Sequence, residues 1–176
     1  DLLAAPDPAA VALDLSRGAD PVPLASLELL APVDRQEVWA AGVTYKRSKV
    51  AREEESKGAA QFYDKVYTAP RPELFLKATP ERLVAPGDPI RVRADSSWSV
   101  PEPELTQAKI YKQSCSVGPL VTLAKGMPPL AGVEIRLVIR RGGAVAFDGR
   151  TTLEQLSRAP ESLVEWLGRA NAFPDG

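Results

Sequence analysis

Histidine is absent from the 176-residue chain. That absence removes Ser-His and Cys-His nucleophile pairs, a three-histidine zinc site and any imidazole base. Proton transfer falls to Glu, Asp, Lys or Tyr. A bound metal takes oxygen ligands, which favours Mg²⁺, with Mn²⁺ or Ca²⁺ as further candidates, over zinc. Cysteine is almost absent too. Cys115 alone excludes an internal disulfide framework and fits a reducing cytoplasm. No apolar run approaches the ~18 residues of a membrane span, and no charged-then-apolar leader opens the chain. The first residue is Asp1, not Met, so the natural N-terminus is expected upstream. Charge of one sign is lacking as well: 22 basic residues against 23 acidic leave a net −1. A nucleic-acid surface would need a basic excess, so no nucleic-acid partner is expected.

What remains describes a soluble globular chain. It is 44% hydrophobic and 26% charged, and it is long enough for one domain with a real core. Residues 1–33 hold short apolar runs broken by Pro6, Pro8, Pro21, Pro23 and Pro32, which predicts short strands and turns of a small leading subdomain or arm. Val38–Tyr45 is apolar and β-prone, a buried strand. Ser48–Lys57 reads as a helix with Ser48 as its cap and Glu53-Glu54-Glu55 on a solvated face. Gly58-Ala59-Ala60 reads as a loop, and Phe62–Tyr67 fits helix or strand. Arg71–Ala78 is a second strand, in which the period of two puts Glu73, Phe75 and Lys77 on one face. Glu73 and Lys77 there form either a simple ion pair or part of a site.

Pro86-Gly87-Asp88-Pro89 is a turn, and the alternating Ile90–Arg93 is a strand. Ser114–Pro119 is a small-residue turn before a strand at Leu120–Leu123. Glu134–Arg140, Gly142-Gly143 and Ala144–Gly149 make a β-hairpin. Leu153–Ala170 has helical periodicity broken at Pro160, with Thr152 or Ser157 as caps.

One stretch carries more chemistry than the others. In Val100-Pro101-Glu102-Pro103-Glu104-Leu105 the prolines enforce an extended chain. In an extended chain residues i and i+2 point the same way, so Glu102 and Glu104 share a face. Two carboxylates that close repel unless a cation or a proton lies between them. A hard divalent cation satisfies them and keeps positions for water and substrate. A solvated acidic turn fits the same spacing.

Four stretches in order resemble the fumarylacetoacetate hydrolase family. They are Val38-Trp39-Ala40-Ala41-Gly42-Val43-Thr44-Tyr45, Arg71-Pro72-Glu73-Leu74-Phe75-Leu76-Lys77-Ala78-Thr79-Pro80, Pro101-Glu102-Pro103-Glu104-Leu105, and Gln107-Ala108-Lys109-Ile110-Tyr111 with Gly118-Pro119. The likeness is strongest to the 2-keto-3-deoxy-D-arabinonate dehydratase branch and runs from about Val38 to Gly176. It implies an α+β fold, a mixed β-roll with flanking helices, over 34–176, with 1–33 as the small N-terminal subdomain. It implies a cytoplasmic, homo-oligomeric, Mg²⁺-dependent hydro-lyase that converts a 2-keto-3-deoxy sugar acid to 2-oxoglutarate semialdehyde. By the same resemblance Glu102 and Glu104 look like metal ligands and Lys109 like the lysine beside the metal. Glu73 looks like a buried acid–base group. Lys77 is a second cation for the substrate, or merely pairs with a carboxylate.

Three departures stand beside this. Hydrolase members activate water with a His–Glu pair after the first strand, where this chain has Ser48 and no histidine, which favours dehydration over C–C hydrolysis of an acylpyruvate. A tautomerase or decarboxylase is a lesser alternative. The family's third metal ligand, an aspartate, lies on a segment absent here, since Gln107 follows Thr106 directly. The family also continues past Pro174-Asp175-Gly176 into a Thr-Gly-Thr strand. Either a segment separates Thr106 from Gln107 in the intact protein, so that their Cα atoms lie much further apart than the ~3.8 Å of a trans peptide, or the deletion is real and the chain is a non-catalytic relative that has lost its metal. The first is expected.

Overall fold

The computed structural model describes residues 2, 4–45, 60–97, 110–123, 128–169 and 171–174. The expected helix at Ser48–Lys57 with its Glu53-Glu54-Glu55 run, and the Thr106–Gln107 junction, lie outside them. The chain divides into two units, 1–40 with 75–123 and 171–176, and 41–74 with 124–170. The division falls inside β1 (Val38–Gly42) and β2 (Glu73–Ala78), which form a two-stranded sheet. Both strands fall within the apolar runs that predict them, but β1 is half-buried, not buried, and ends at Gly42, ahead of Val43 at φ +50°.

In the first unit the leading stretch forms α1 (Pro8–Ser16), not the expected short strands. Local chemistry explains the correction. The Asp7 side chain accepts from the Ala10 amide at 3.0 Å, and Pro8 occupies the first helical turn, where its missing N–H costs nothing. Alanine-rich sequence then carries the helix. Two further strands, β3 (Leu83–Val84) and β4 (Cys115–Ser116), pair in parallel, Leu83 with Cys115 and Val84 with Ser116. The predicted turn follows β3: Asp88 N–H donates to the Ala85 carbonyl at 3.1 Å, with Pro86 next and Gly87 at φ +91°. That is the pattern of a type II turn, whose third residue needs positive φ.

Ile90–Arg93 and Leu120–Leu123 are not strands. Ile90 and Val92 are exposed, and the Arg91 amide donates to the Gln113 carbonyl of a loop at 3.0 Å. Val121 and Leu123 instead line a cavity of about 600 Å³ with Leu2, Pro8, Ala12 and Leu30. Alternation gives a strand only where a partner edge is on offer. Among the described residues, Ala78 and Val84 are buried apolar side chains of this unit.

In the second unit α2 (Ala60–Thr68) settles the helix-or-strand choice at Phe62–Tyr67. The predicted hairpin forms from β5 (Glu134–Arg141) and β6 (Ala144–Thr152), with a register shift at Ile139/Arg140. Gly142 and Gly143, at φ +55° and +83°, supply the two positive-φ residues that a tight hairpin turn requires. Arg136 stands opposite Arg150, a repulsive pairing on its own. Each arginine turns to a carboxylate: Arg136 donates to both Asp148 oxygens at 2.9 and 2.6 Å, and Arg150 approaches Glu134 at 3.3 Å. The Arg136 guanidinium holds the Asp148 carboxyl below its usual range. On the other face Ile135, Leu137 and Ile139 are exposed. The Leu153–Ala170 stretch breaks at Pro160 as expected, into a 3-10 turn (Leu153–Gln155) and α3 (Pro160–Gly168). Neither Thr152 nor Ser157 caps through its side chain, because Ser157 Oγ donates to the Thr44 carbonyl at 2.8 Å instead. Among the described residues no helix is long and apolar enough to cross a membrane.

Gly118 tests the packing of the first unit. It has φ +140°, and a Cβ there would stand 2.6 Å from Pro86 Cγ. Gly118→Ala is expected to cost about 1–3 kcal/mol through backbone strain and the clash. A Cβ at Gly132 would meet only Pro128 Cβ at 3.7 Å, so Gly132→Ala should leave stability nearly unchanged. Thermal melts of both variants check the contrast.

Candidate active site

β2 carries the two candidate residues that the structure describes, Glu73 and Lys77. Glu102, Glu104 and Lys109 lie outside the described residues. Glu73 opens the strand directly after Pro72 and is exposed. The burial expected of it is not there: Glu73 is exposed although the preceding Pro72 is buried.

Lys77 differs sharply. Its Nζ is buried and, among the described residues, has no hydrogen-bond partner. The ammonium lies 5.8 Å from the centroid of the Phe75 ring, two positions back on the same face of β2, within cation–π reach. A ring face is a weak substitute for an acceptor. A buried ammonium without one is the arrangement that an incoming anion satisfies. Its charge is felt at the half-buried Cys115 of β4: burial pushes that thiol up, and Lys77 partly offsets the effect.

In the second unit a group that sequence reasoning missed holds the approach to β2. Arg158 Nη2 donates to the Ala69 carbonyl at 2.7 Å and to those of Val66 and Tyr67 at 3.3 and 3.4 Å, and Nη1 donates to Pro70 at 3.4 Å. Two of these are orphan carbonyls at the end of α2, where a cation also complements the helix dipole. The partners lie 88 to 92 residues away in sequence, so no local pattern announces them. Next to it, Ser157 N and Oγ both donate to the Thr44 carbonyl, at 2.7 and 2.8 Å, and Leu156 bridges to Tyr45. Among the described residues no three His, Cys, Asp or Glu side chains group as a metal site.

The chain is thus a mixed helix-and-strand protein without histidine, in which β2 carries the candidate residues Glu73 and Lys77. Comparison with known proteins places it more closely. It is 38% identical over 198 residues to a probable 2-keto-3-deoxyxylonate dehydratase of Haloferax volcanii, covering 94% of this chain and 68% of that protein. It is 32% identical over 185 residues to the 2-dehydro-3-deoxy-D-arabinonate dehydratase of Saccharolobus solfataricus, covering 85% of this chain and 62% of that one. A solved structure of 2-keto-3-deoxy-D-arabinonate dehydratase complexed with magnesium and 2,5-dioxopentanoate matches with a TM-score of 0.74 at 28% identity, over 93% of this chain and 73% of that chain. No family model matches. The chain belongs to the 2-keto-3-deoxy sugar acid dehydratases.

Cys115 reports on the Lys77 environment. Only the thiolate alkylates, and burial disfavours it here. Iodoacetamide is expected to label Cys115 more slowly than glutathione at pH 7.5, with the rate rising steeply at higher pH. Lys77→Met, which deletes the offsetting charge, should slow labelling further; mass spectrometry of timed aliquots reads both.

Proposed function

We propose that the protein is a Mg²⁺-dependent dehydratase of a 2-keto-3-deoxy sugar acid, yielding 2,5-dioxopentanoate, which is 2-oxoglutarate semialdehyde, from a five-carbon substrate. Membership of the dehydratase family supports the reaction, and a related enzyme is seen with magnesium and that product. The observation that carries the site is the buried Lys77 ammonium, which favours an anionic substrate.

The donor chemistry fits the metal. A chain with no histidine and paired carboxylates in an extended segment offers the hard oxygen ligands that Mg²⁺ takes. Glu102 and Glu104 would hold it. When bound it supplies Lewis-acid stabilisation of the negative charge that develops on the 2-keto oxygen.

The protein's own groups do the rest. Lys77 and Lys109 hold the C1 carboxylate and the developing negative charge with fixed cations. Glu73 takes a proton from C3, whose electron pair is first shared with the 2-keto oxygen and then forms the C3–C4 double bond as the C4–O bond breaks. Protonated Glu73 returns the proton to the departing hydroxyl, which leaves as water. Proton shifts from the C5 carbinol then give the aldehyde, so the net change is loss of one water. Glu73 is exposed, which suits a group that must hand protons to a leaving water.

The same reading places the reaction in a mixed β-roll of the fumarylacetoacetate hydrolase type over 34–176, in a cytoplasmic homo-oligomer. The single Cys115 supports the compartment, and the exposed Ile135, Leu137 and Ile139 face supports the assembly. Hydrolysis of an acylpyruvate is the lesser reading, because no histidine is present to join a glutamate in activating water.

Glu73→Gln is expected to lower kcat on a 2-keto-3-deoxypentonate by about 10²-fold or more, the usual weight of a general acid–base group, while Mg²⁺ uptake by calorimetry stays as in the parent. Wild-type turnover would refute the assignment. Lys77→Met should raise KM about tenfold or more, the loss expected when a charged hydrogen bond to a carboxylate is removed. Turnover of an acylpyruvate in preference to the sugar acid would favour the hydrolase. Failure of the parent to take up Mg²⁺ at millimolar concentration would favour a binding domain.

A further inference from the structure

We infer that Arg158 is a positioning residue for Glu73, an inference that rests on the reading of Glu73 as the proton carrier. Arg158 is half-buried and donates to four carbonyls, those of Val66, Tyr67, Ala69 and Pro70. An arginine stays charged at any working pH, so its fork is a permanent clamp and not a switch. What it clamps is the end of α2 and the turn that leads into β2.

From the clamped Pro70 carbonyl only Arg71 and Pro72 intervene before Glu73. Both Pro70 and Pro72 have φ locked by their rings, and each restrains the residue before it. Pro72 is buried as well. A short connector this stiff carries the orientation set at Ala69 and Pro70 to the strand's first residue with little slack. The clamp is itself anchored. The preceding Ser157 is held to Thr44 by two hydrogen bonds, and Leu156 is bridged to Tyr45. So Leu156-Ser157-Arg158 ties the segment that leaves β1 to the connector that aims Glu73. Lysine would keep the charge but, as a point donor on a flexible stem, would not span four carbonyls.

The test measures kcat, KM and the melting temperature for Arg158→Lys, Arg158→Met and Glu73→Gln in the complete enzyme with Mg²⁺ and a 2-keto-3-deoxypentonate. Arg158→Lys is expected to lower kcat by about tenfold, as a displacement of a fraction of an ångström at a reacting group does. KM should stay within about twofold, because the substrate's cationic holders are untouched. The kcat loss should persist well below the melting temperature of each variant with KM held, a split that a loss of stability alone would not produce. Arg158→Met should show the same pattern more strongly; if it fails to fold, the lysine variant still decides. An unchanged kcat, or a kcat that recovers fully well below the melting temperature, overturns the inference. Wild-type turnover in Glu73→Gln overturns instead the acid–base reading beneath it.

Discussion

A guanidinium cannot shed its proton, so a half-buried one must be met by acceptors. Arg158 meets carbonyls left over at a helix end and in a proline-rich turn. The arrangement solves two problems together. It satisfies backbone acceptors that α2 leaves open, and it stabilises a cation where the helix dipole favours one. Thr44 is a buried polar residue there, and its carbonyl takes both donors of Ser157. The segment after β1, the entry to β2 and the strap at 156–158 are thus joined by polar backbone contacts.

Lys77 is the counterpart in the first unit. One cation meets four carbonyls and one, among the described residues, has no hydrogen-bond partner. Desolvating a charge without a partner is costly enough that a fold retains it only where something else brings the compensation. In the proposed reaction that compensation would be the anionic substrate. Cys115 lies close enough to feel the Lys77 charge, and so its thiol senses whether that charge is present.

Much of the architecture was legible in the sequence wherever a local rule has no competitor. β1 and β2 follow from apolar β-prone runs, and the β5–β6 hairpin from clean alternation around Gly142-Gly143. The turn at Pro86-Gly87 follows from residues that only such a turn needs. Failures fall where tertiary context decides. Ile90–Arg93 and Leu120–Leu123 alternate or run apolar, yet neither is a strand, and Val121 and Leu123 line a cavity instead. α1 was hidden because its proline was read as a breaker, when Pro8 after the Asp7 cap marks a helix start. For the site, composition excluded imidazole chemistry, and the strand period put Glu73 and Lys77 on one face, but only the resemblance gave Glu73 an acid–base role. Arg158 was invisible, since a residue whose partners lie some ninety positions away leaves no local trace.

The metal is where chain and relatives differ most usefully. The match to the Haloferax protein runs over 198 positions and that to the Saccharolobus protein over 185, both more than the 176 residues of this chain. Each relative therefore carries residues inside the matched stretch that this chain does not. In the proposed site Glu102 and Glu104 bring two carboxylates, and the next acidic residue, Glu134, faces Arg150 across the hairpin at 3.3 Å. Pulling Glu134 away would leave Arg136 and Arg150 opposed with one carboxylate fewer between them. A third protein oxygen is thus not to be drawn from the hairpin without disturbing its pairing. A Mg²⁺ held by few carboxylates keeps more of its coordination for water and substrate. A further oxygen ligand for the proposed site would therefore come from the residues that the relatives carry inside the matched stretch.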